Sequence, residues 1–222
     1  KNTVASYLWL SFIILFPLLI PLFVFTQITE INDADNYPYV IFLLSGYLTF
    51  SVSLSTFNYT SRSLYIFRKK YFLNTNNPLE IFEYVYRINL VYFFVNILLV
   101  YISLKFYNIF ILDFSIKIFS LALISSYFFG KALTLFFAMF IVLFRDFRFL
   151  GRITVGILYL CSSIPYVYKG ENYFLMMFTK YNPLSIFAES FRYSLFLNHN
   201  DFNLNLLYFY SLLSFTFYFL IL

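Results

Sequence analysis

What most limits the fold of this chain is a series of uncharged apolar runs close to bilayer-crossing length. Tyr7–Phe25, Tyr39–Phe57 and Leu204–Leu222 hold no Asp, Glu, Lys or Arg. A transmembrane helix needs about 20 such residues. Hydrophobic residues make up 62% of the sequence and charged ones 11%, whereas soluble domains carry about 25% charged. Water is the wrong solvent for such a surface. The runs predict an all-α polytopic membrane protein.

The charges that remain sit at the ends of the runs and give them a direction. Short loops rich in Lys and Arg stay on the cytoplasmic side. Asn58–Pro78 carries Arg62, Arg68, Lys69 and Lys70 and no acid, so it reads as inside. Leu135–Arg152 ends an apolar run abruptly in Arg145-Asp146-Phe147-Arg148, with Arg152 soon after, and marks a second inside turn. Thr26–Pro38 holds Glu30, Asp33 and Asp35 without a cation and reads as outside. The net charge of +5 is therefore an orientation signal and a contact for anionic membrane lipids, with no nucleic acid implied.

The predicted spans are Tyr7–Phe25, Tyr39–Phe57, a third ending near Leu104, Phe114–Phe144, Phe149–Tyr166 and Leu204–Leu222. Six spans place both termini in the cytoplasm, in one domain over residues 1–222. The start at Lys1 and the end inside an apolar run read as an excerpt of a longer chain. Asn77-Pro78 is a good helix start. Glu80, Glu83 and Arg87 then share one face, as a solvated stripe or a partner contact. The fourth span, at about 45 Å if wholly helical, exceeds the ~30 Å hydrocarbon core, so Gly130 is a candidate bend. Lys131 beside it is a cation deep in an apolar run, which either snorkels outward or lines a water-filled cavity.

Between the last two spans, FLMMF at Phe174–Phe178 and the helical pattern Leu184–Leu197 flank Tyr181-Asn182-Pro183. Two half-apolar helices around a proline predict a re-entrant outer hairpin, tolerated at membrane depth only where it lines protein or a cavity. Asn182, Ser185, Glu189 and Arg192 fall at i, i+3, i+7 and i+10, a polar stripe on an apolar helix. Glu189 and Arg192 are spaced to pair with each other.

Enzyme chemistry has no visible foothold. There is no GxxxxGK[ST] phosphate loop, no HExxH and no GxSxG. The lone Cys161 excludes an internal disulfide and a cysteine-cluster metal site, and His199 reads as an ordinary loop residue, so no metal site is expected. The 34 Phe and 22 Tyr fit an AT-rich genome or, functionally, a conduit on which sugar rings stack.

Four stretches resemble the membrane subunits of ABC-2-type exporters, in the branch moving polyprenyl-linked O-antigens, capsules or teichoic acids. YNPLSIFAESFRYSLF at Tyr181–Phe196 is similar to that branch's Asn-Pro…Glu-x-Phe-Arg segment, with Asn182, Pro183, Glu189, Phe191 and Arg192 in register. LFRDFRFL at Leu143–Leu150 resembles its Arg-Asp turn, YPYVIFLLSG at Tyr37–Gly46 the start of span 2, and SRSLYIFRKKYF at Ser61–Phe72 the loop before span 3. Departures are Phe72-Leu73-Asn74 where Phe-Pro-Arg is usual, and Ile186 and Ser190 where glycines are usual. The family's amphipathic N-terminal interface helix is also missing here.

The resemblance implies a homodimer in the bacterial cytoplasmic (inner) membrane, with a channel for a lipid-linked glycan. It implies two copies of a separate ATP-binding subunit, which holds ATP and Mg; this chain is not itself an enzyme and binds no cofactor directly. Arg62, Arg68, Lys69, Lys70, Glu83, Arg87, Arg145, Asp146 and Arg148 are then ATPase-coupling residues. Asn182, Pro183, Glu189, Phe191 and Arg192 form an outer gate, and Lys131 is a candidate cavity residue. The alternatives are an ABC-2-type permease for a drug or lipid, a membrane polyprenyl-glycan polymerase or ligase using Arg192 or His199, and an assembly scaffold.

Overall fold

The computed structural model describes residues 33–34, 37–53, 57, 94, 97–98, 101–102, 104–106, 115–144, 146–165, 173–196 and 203–221. These are helical apart from short turns and one small ribbon. In the ribbon β1 (Asp33–Ala34) runs antiparallel to β2 (Tyr37–Pro38), with Ala34 opposite Tyr37. The helices are α1 (Tyr39–Ser53), α2 (Ile116–Leu143), α3 (Phe147–Leu160), α4 (Tyr173–Tyr181), α5 (Pro183–Phe196) and α6 (Leu204–Ile221). The described residues between 94 and 106 are helical as well. The first predicted span, most of the third and the basic loop between the second and third lie outside the described residues.

α2 is the spine. It holds 28 residues without a proline, about 42 Å at 1.5 Å per residue. Its stretch Ile116–Phe137 is the one segment among the described residues both long and apolar enough to cross a bilayer. It begins after Ser115 and stops at Phe144, whose backbone is extended at φ −129° and ψ 117°. The predicted turn at Asp146 follows, and α3 sets off from Phe147.

α5 and α6 pack along α2. Ala122 of α2, Ile186, Phe187 and Phe191 of α5, and Leu207 of α6 form one buried cluster. Phe119 meets Phe191 edge-on at 4.9 Å between ring centres. Towards the α2–α3 turn, Phe57, Phe137, Ile141, Val155 and Leu184 make a second cluster.

Small polar residues share the interior with these apolar clusters. Ser45, Thr49, Ser51 and Ser53 of α1 and Ser125, Ser126 and Thr134 of α2 are buried. Each hydroxyl donates to a carbonyl three or four residues back in its own helix. Satisfied in this way, small polar residues cost little inside and let helix backbones approach closely. Outside, large apolar side chains are bare: Ile153, Ile157 and Leu160 on α3, and Leu212, Phe219 and Leu220 on α6.

Gly130 owes its place to that close approach. α2 runs through it as unbroken helix, and a Cβ there would overlap the main chain of Ser53 in α1. It is a contact between two backbones, where the sequence suggested a bend. Gly130→Leu is expected to force α1 off α2 and to destabilise the protein by about 1–3 kcal/mol, as overpacking does. Gly156→Ala, at a site with nothing within 4 Å of the new methyl, should be neutral or up to about 1 kcal/mol stabilising through helix propensity. Thermal melts of both variants in one detergent, followed by circular dichroism, check the contrast.

Candidate functional site

α3 stops being helical at Leu160, well short of the predicted end of span 5 at Tyr166. Pro165 keeps the helix from running on to Tyr166: its ring disfavours helical backbone at the residue before it. Ser162 reinforces the stop, donating its hydroxyl to the Tyr159 carbonyl at 2.6 Å and accepting the Ile164 N–H at 3.3 Å. The break is internal, since Ser162, Ser163, Ile164 and Pro165 are all buried. A helix end leaves carbonyls without helical partners, and each one stranded away from water costs about 1–3 kcal/mol.

The polar stripe of α5 meets those groups. Asn182, at the head of the helix, accepts the Leu184 N–H through Oδ1 at 3.0 Å and donates through Nδ2 to the Leu158 carbonyl at 2.7 Å. One carboxamide thus caps the start of α5 and the end of α3 together. The Ser185 hydroxyl accepts the Ser163 N–H at 2.9 Å. Arg192 donates through Nη1 to the Ser163 carbonyl at 2.9 Å, and through Nη2 to the carbonyls of Ile164 at 3.2 Å and Phe42 at 3.0 Å. A long side chain on a helix leans towards its N-terminus, so Arg192 reaches the turn already held by Ser185. From α1, Tyr39 donates its hydroxyl to the Pro165 carbonyl at 2.7 Å.

Arg192 is 1% exposed. A planar fork with several fixed donors suits a cluster of carbonyls better than an ammonium does. The ring of Phe42 adds a face for the charge, with the guanidinium carbon 3.4 Å from the ring centre. Gly46 makes room for this. It stands one turn after Phe42, and a Cβ on it would come within 2.6 Å of Nη2 and 3.2 Å of the Ile164 Cα. The stripe clasps three elements: α5 itself, the broken end of α3, and α1.

The other predicted gate residues divide by role. Pro183 is the first residue of α5, where its missing N–H costs nothing. Phe191 is buried in the cluster shared with α2 and α6. Glu189 is half-buried on the same stripe, and the guanidinium bonds described above all end on carbonyls rather than on its carboxylate. Lys131 is half-buried, its ammonium 4.7 Å from the Tyr127 ring centre and 5.5 Å from that of Tyr218 on α6. Tyr127 lies one turn towards the start of α2, so the lysine leans towards that end, as long side chains on a helix do.

Of the predicted coupling residues, Asp146 is exposed at the turn and Arg148 is half-buried on α3, its guanidinium 5.5 Å from the Phe149 ring centre. Arg62, Arg68, Lys69, Lys70, Glu83, Arg87 and Arg145 lie outside the described residues. Among the described residues no group of three or more His, Cys, Asp or Glu side chains is placed to hold a metal. Sequence reasoning gave no role to Tyr39, Phe42 and Gly46, although they lie in the resembling stretch Tyr37–Gly46, and none to Ser163. For Ser163 the signal was the Ser162-Ser163-Ile164-Pro165 run, a helix stop inside an apolar segment.

Replacing Arg192 by Met strands the Ser163 and Ile164 carbonyls, and a loss of about 2–4 kcal/mol is expected. Arg192→Lys should recover only part, because one ammonium cannot fork between α1 and the turn. Gly46→Ala should lower stability in wild type and by less in Arg192→Met, where its methyl still meets Ile164 but no guanidinium. Thermal melts of the single and double variants test this coupling.

Comparison with models of known families and with curated proteins finds no match, so the site is read from its own residues.

Proposed function

We propose that the chain is the membrane subunit of an ATP-driven exporter of the ABC-2 type. It moves a lipid-linked polysaccharide across a bacterial cytoplasmic membrane, as a homodimer driven by two copies of a separate ATPase. The architecture of this reading is six spans, with α4 and α5 as the arms of the re-entrant outer hairpin. The observation that carries it is the clasp at the end of α3. In hydrocarbon every main-chain polar group has to be met within the protein, and irregular backbone is tolerated only where protein covers it. The broken turn 161–165 answers that requirement through Asn182, Ser185, Arg192 and Tyr39. Buried hydroxyls and bare apolar outer faces support the same solvent.

The resemblance of Tyr181–Phe196 to the exporter segment falls on this clasp, which gives the segment a physical task. α3 has 14 residues, a rod of about 21 Å. Its start, beside Asp146 and Arg148, is the inside turn where a motor would press; its end is the turn held by Arg192. Displacement at one end therefore reaches the hairpin without an intermediate. The polymerase or ligase alternative loses a candidate, since a buried Arg192 bonded to carbonyls is not presented to a substrate.

Deleting the chain is expected to leave a lipid-linked glycan on the cytoplasmic leaflet, detected by lipid extraction and sugar analysis; normal surface glycan would refute the cargo assignment. The purified chain alone should hydrolyse no ATP above background. Reversing Arg68, Lys69 and Lys70 together should release or uncouple a co-expressed ATPase subunit. Orientation is checked separately in a Cys161→Ser background, where an impermeant thiol reagent on intact cells should label a cysteine at position 32 and miss one at position 74.

A further inference from the structure

The two helices that meet at Asn182-Pro183 are buried very differently. α5 is enclosed almost along its length, whereas on α4 Tyr173, Phe174, Met176, Met177, Phe178 and Tyr181 are exposed. Between α4 and the end of α3 lies an open cleft of about 460 Å³. Ile157, Leu158 and Cys161 line one wall, and Phe174, Met177 and Phe178 the other. Both walls are apolar, so neither carries a group that contact would strip of partners. The two faces can meet.

Their separation is set at the junction of α4 and α5. Asn182 stays with α3 and α5, through the Leu158 carbonyl at 2.7 Å and the Leu184 N–H at 3.0 Å. A swing of α4 therefore turns about the backbone of Asn182, and the Tyr181 carbonyl turns with it. Tyr181 ends α4, so its carbonyl points along the helix axis with no helical N–H to meet it. The Tyr210 hydroxyl of α6 donates to that carbonyl at 2.5 Å. Tyr210 is itself fixed, since it packs on the buried cluster that α2, α5 and α6 share. A hydrogen bond weakens steeply as its angle is lost. One hydroxyl on a fixed helix thus sets the angle of α4.

We infer that α4 is a lid, hinged at Asn182 and held off the end of α3 by the Tyr210 hydroxyl. Swung shut, it lays Phe174, Met177 and Phe178 against Ile157, Leu158 and Cys161, and close packing of the two faces takes the place of the bond to Tyr210. Swung open, it keeps that bond and the cleft. The two positions exchange one hydrogen bond for one packed face, so a small change at Tyr210 decides between them. Closing covers the end of α3 beside the turn that Arg192 holds, and leaves α5 with its bonds in place.

Cys161, the only cysteine of the chain, stands on the α3 wall and reports the lid without mutation. The experiment measures the rate of maleimide alkylation of Cys161 in the purified chain, in detergent at fixed pH. Tyr210→Phe removes one oxygen and should slow labelling about three- to tenfold, the factor that one hydrogen bond carries. Tyr208→Phe, at an exposed position of the same helix, should label as wild type does. Adding Met177→Gln to Tyr210→Phe should restore the wild-type rate, because a carboxamide shut into an apolar cleft lacks partners; a misfolded protein would show no such recovery. Labelling of Tyr210→Phe at the wild-type rate or faster, equal slowing by Tyr208→Phe, or no recovery with Met177→Gln would each overturn the lid. The assay needs no motor and no glycan, so failure of the exporter reading, seen as normal surface glycan after deletion, is a separate result.

Discussion

The arrangement depends on one requirement: the main chain that leaves α3 has to be hydrogen-bonded in a place without water. The helix stops at Leu160 and Pro165 bars it from resuming, which leaves carbonyls at Leu158, Ser163, Ile164 and Pro165 to be met. Asn182, Arg192 and Tyr39 each take at least one of them, at 2.7 to 3.2 Å. Because Arg192 also takes the Phe42 carbonyl, meeting the break fixes the position of α1. Gly46 and Gly130 then allow α1 to lie against the guanidinium on one side and α2 on another. Remove the break, and neither glycine nor arginine has a reason to be where it is.

The same requirement explains why polar residues point inwards here. Serines and threonines within α1 and α2 are bonded inside their own helices, so they bring little demand into the interior and take little volume. Close backbone contact follows, and dispersion between the helices adds to the burial of Phe57, Phe187 and Phe191. Other large apolar side chains lie bare on the outer faces of α3, α4 and α6. Arg192 is the exception, a buried charge, and it is tolerable because carbonyl dipoles and the Phe42 ring surround it.

Much of this was legible in the sequence. The apolar runs located α1, α2 and α6, the Arg-Asp turn located the start of α3, and Asn182-Pro183 located the break between α4 and α5. The stripe Asn182, Ser185, Glu189, Arg192 was legible as a set, because it follows from helical spacing alone. Its partners were not. Spacing reports only neighbours on the same helix, as Glu189 is to Arg192. The carbonyls of Ser163 and Phe42 lie 29 and 150 residues away in sequence, and no local pattern carries that distance. The end of α3 was misjudged because hydropathy continues to Tyr166 while the backbone obeys Pro165. Gly46 had no signal, as its role exists only once α5 has docked.

Under the exporter reading, the clasp decides how the hairpin moves. One guanidinium spans two elements, with acceptors on α1 and on the turn after α3. A partial shift of α5 would lengthen some of its bonds without supplying replacements, and each carbonyl left unmet costs about 1–3 kcal/mol. Intermediate positions are therefore disfavoured against both a closed clasp and an open state in which water or cargo meets the carbonyls. Apolar contacts alone would not give this, because dispersion weakens gradually as faces slide. A hairpin held by packing would leak; one held by Arg192 opens in a single step, when α3 is displaced far enough to take its carbonyls away.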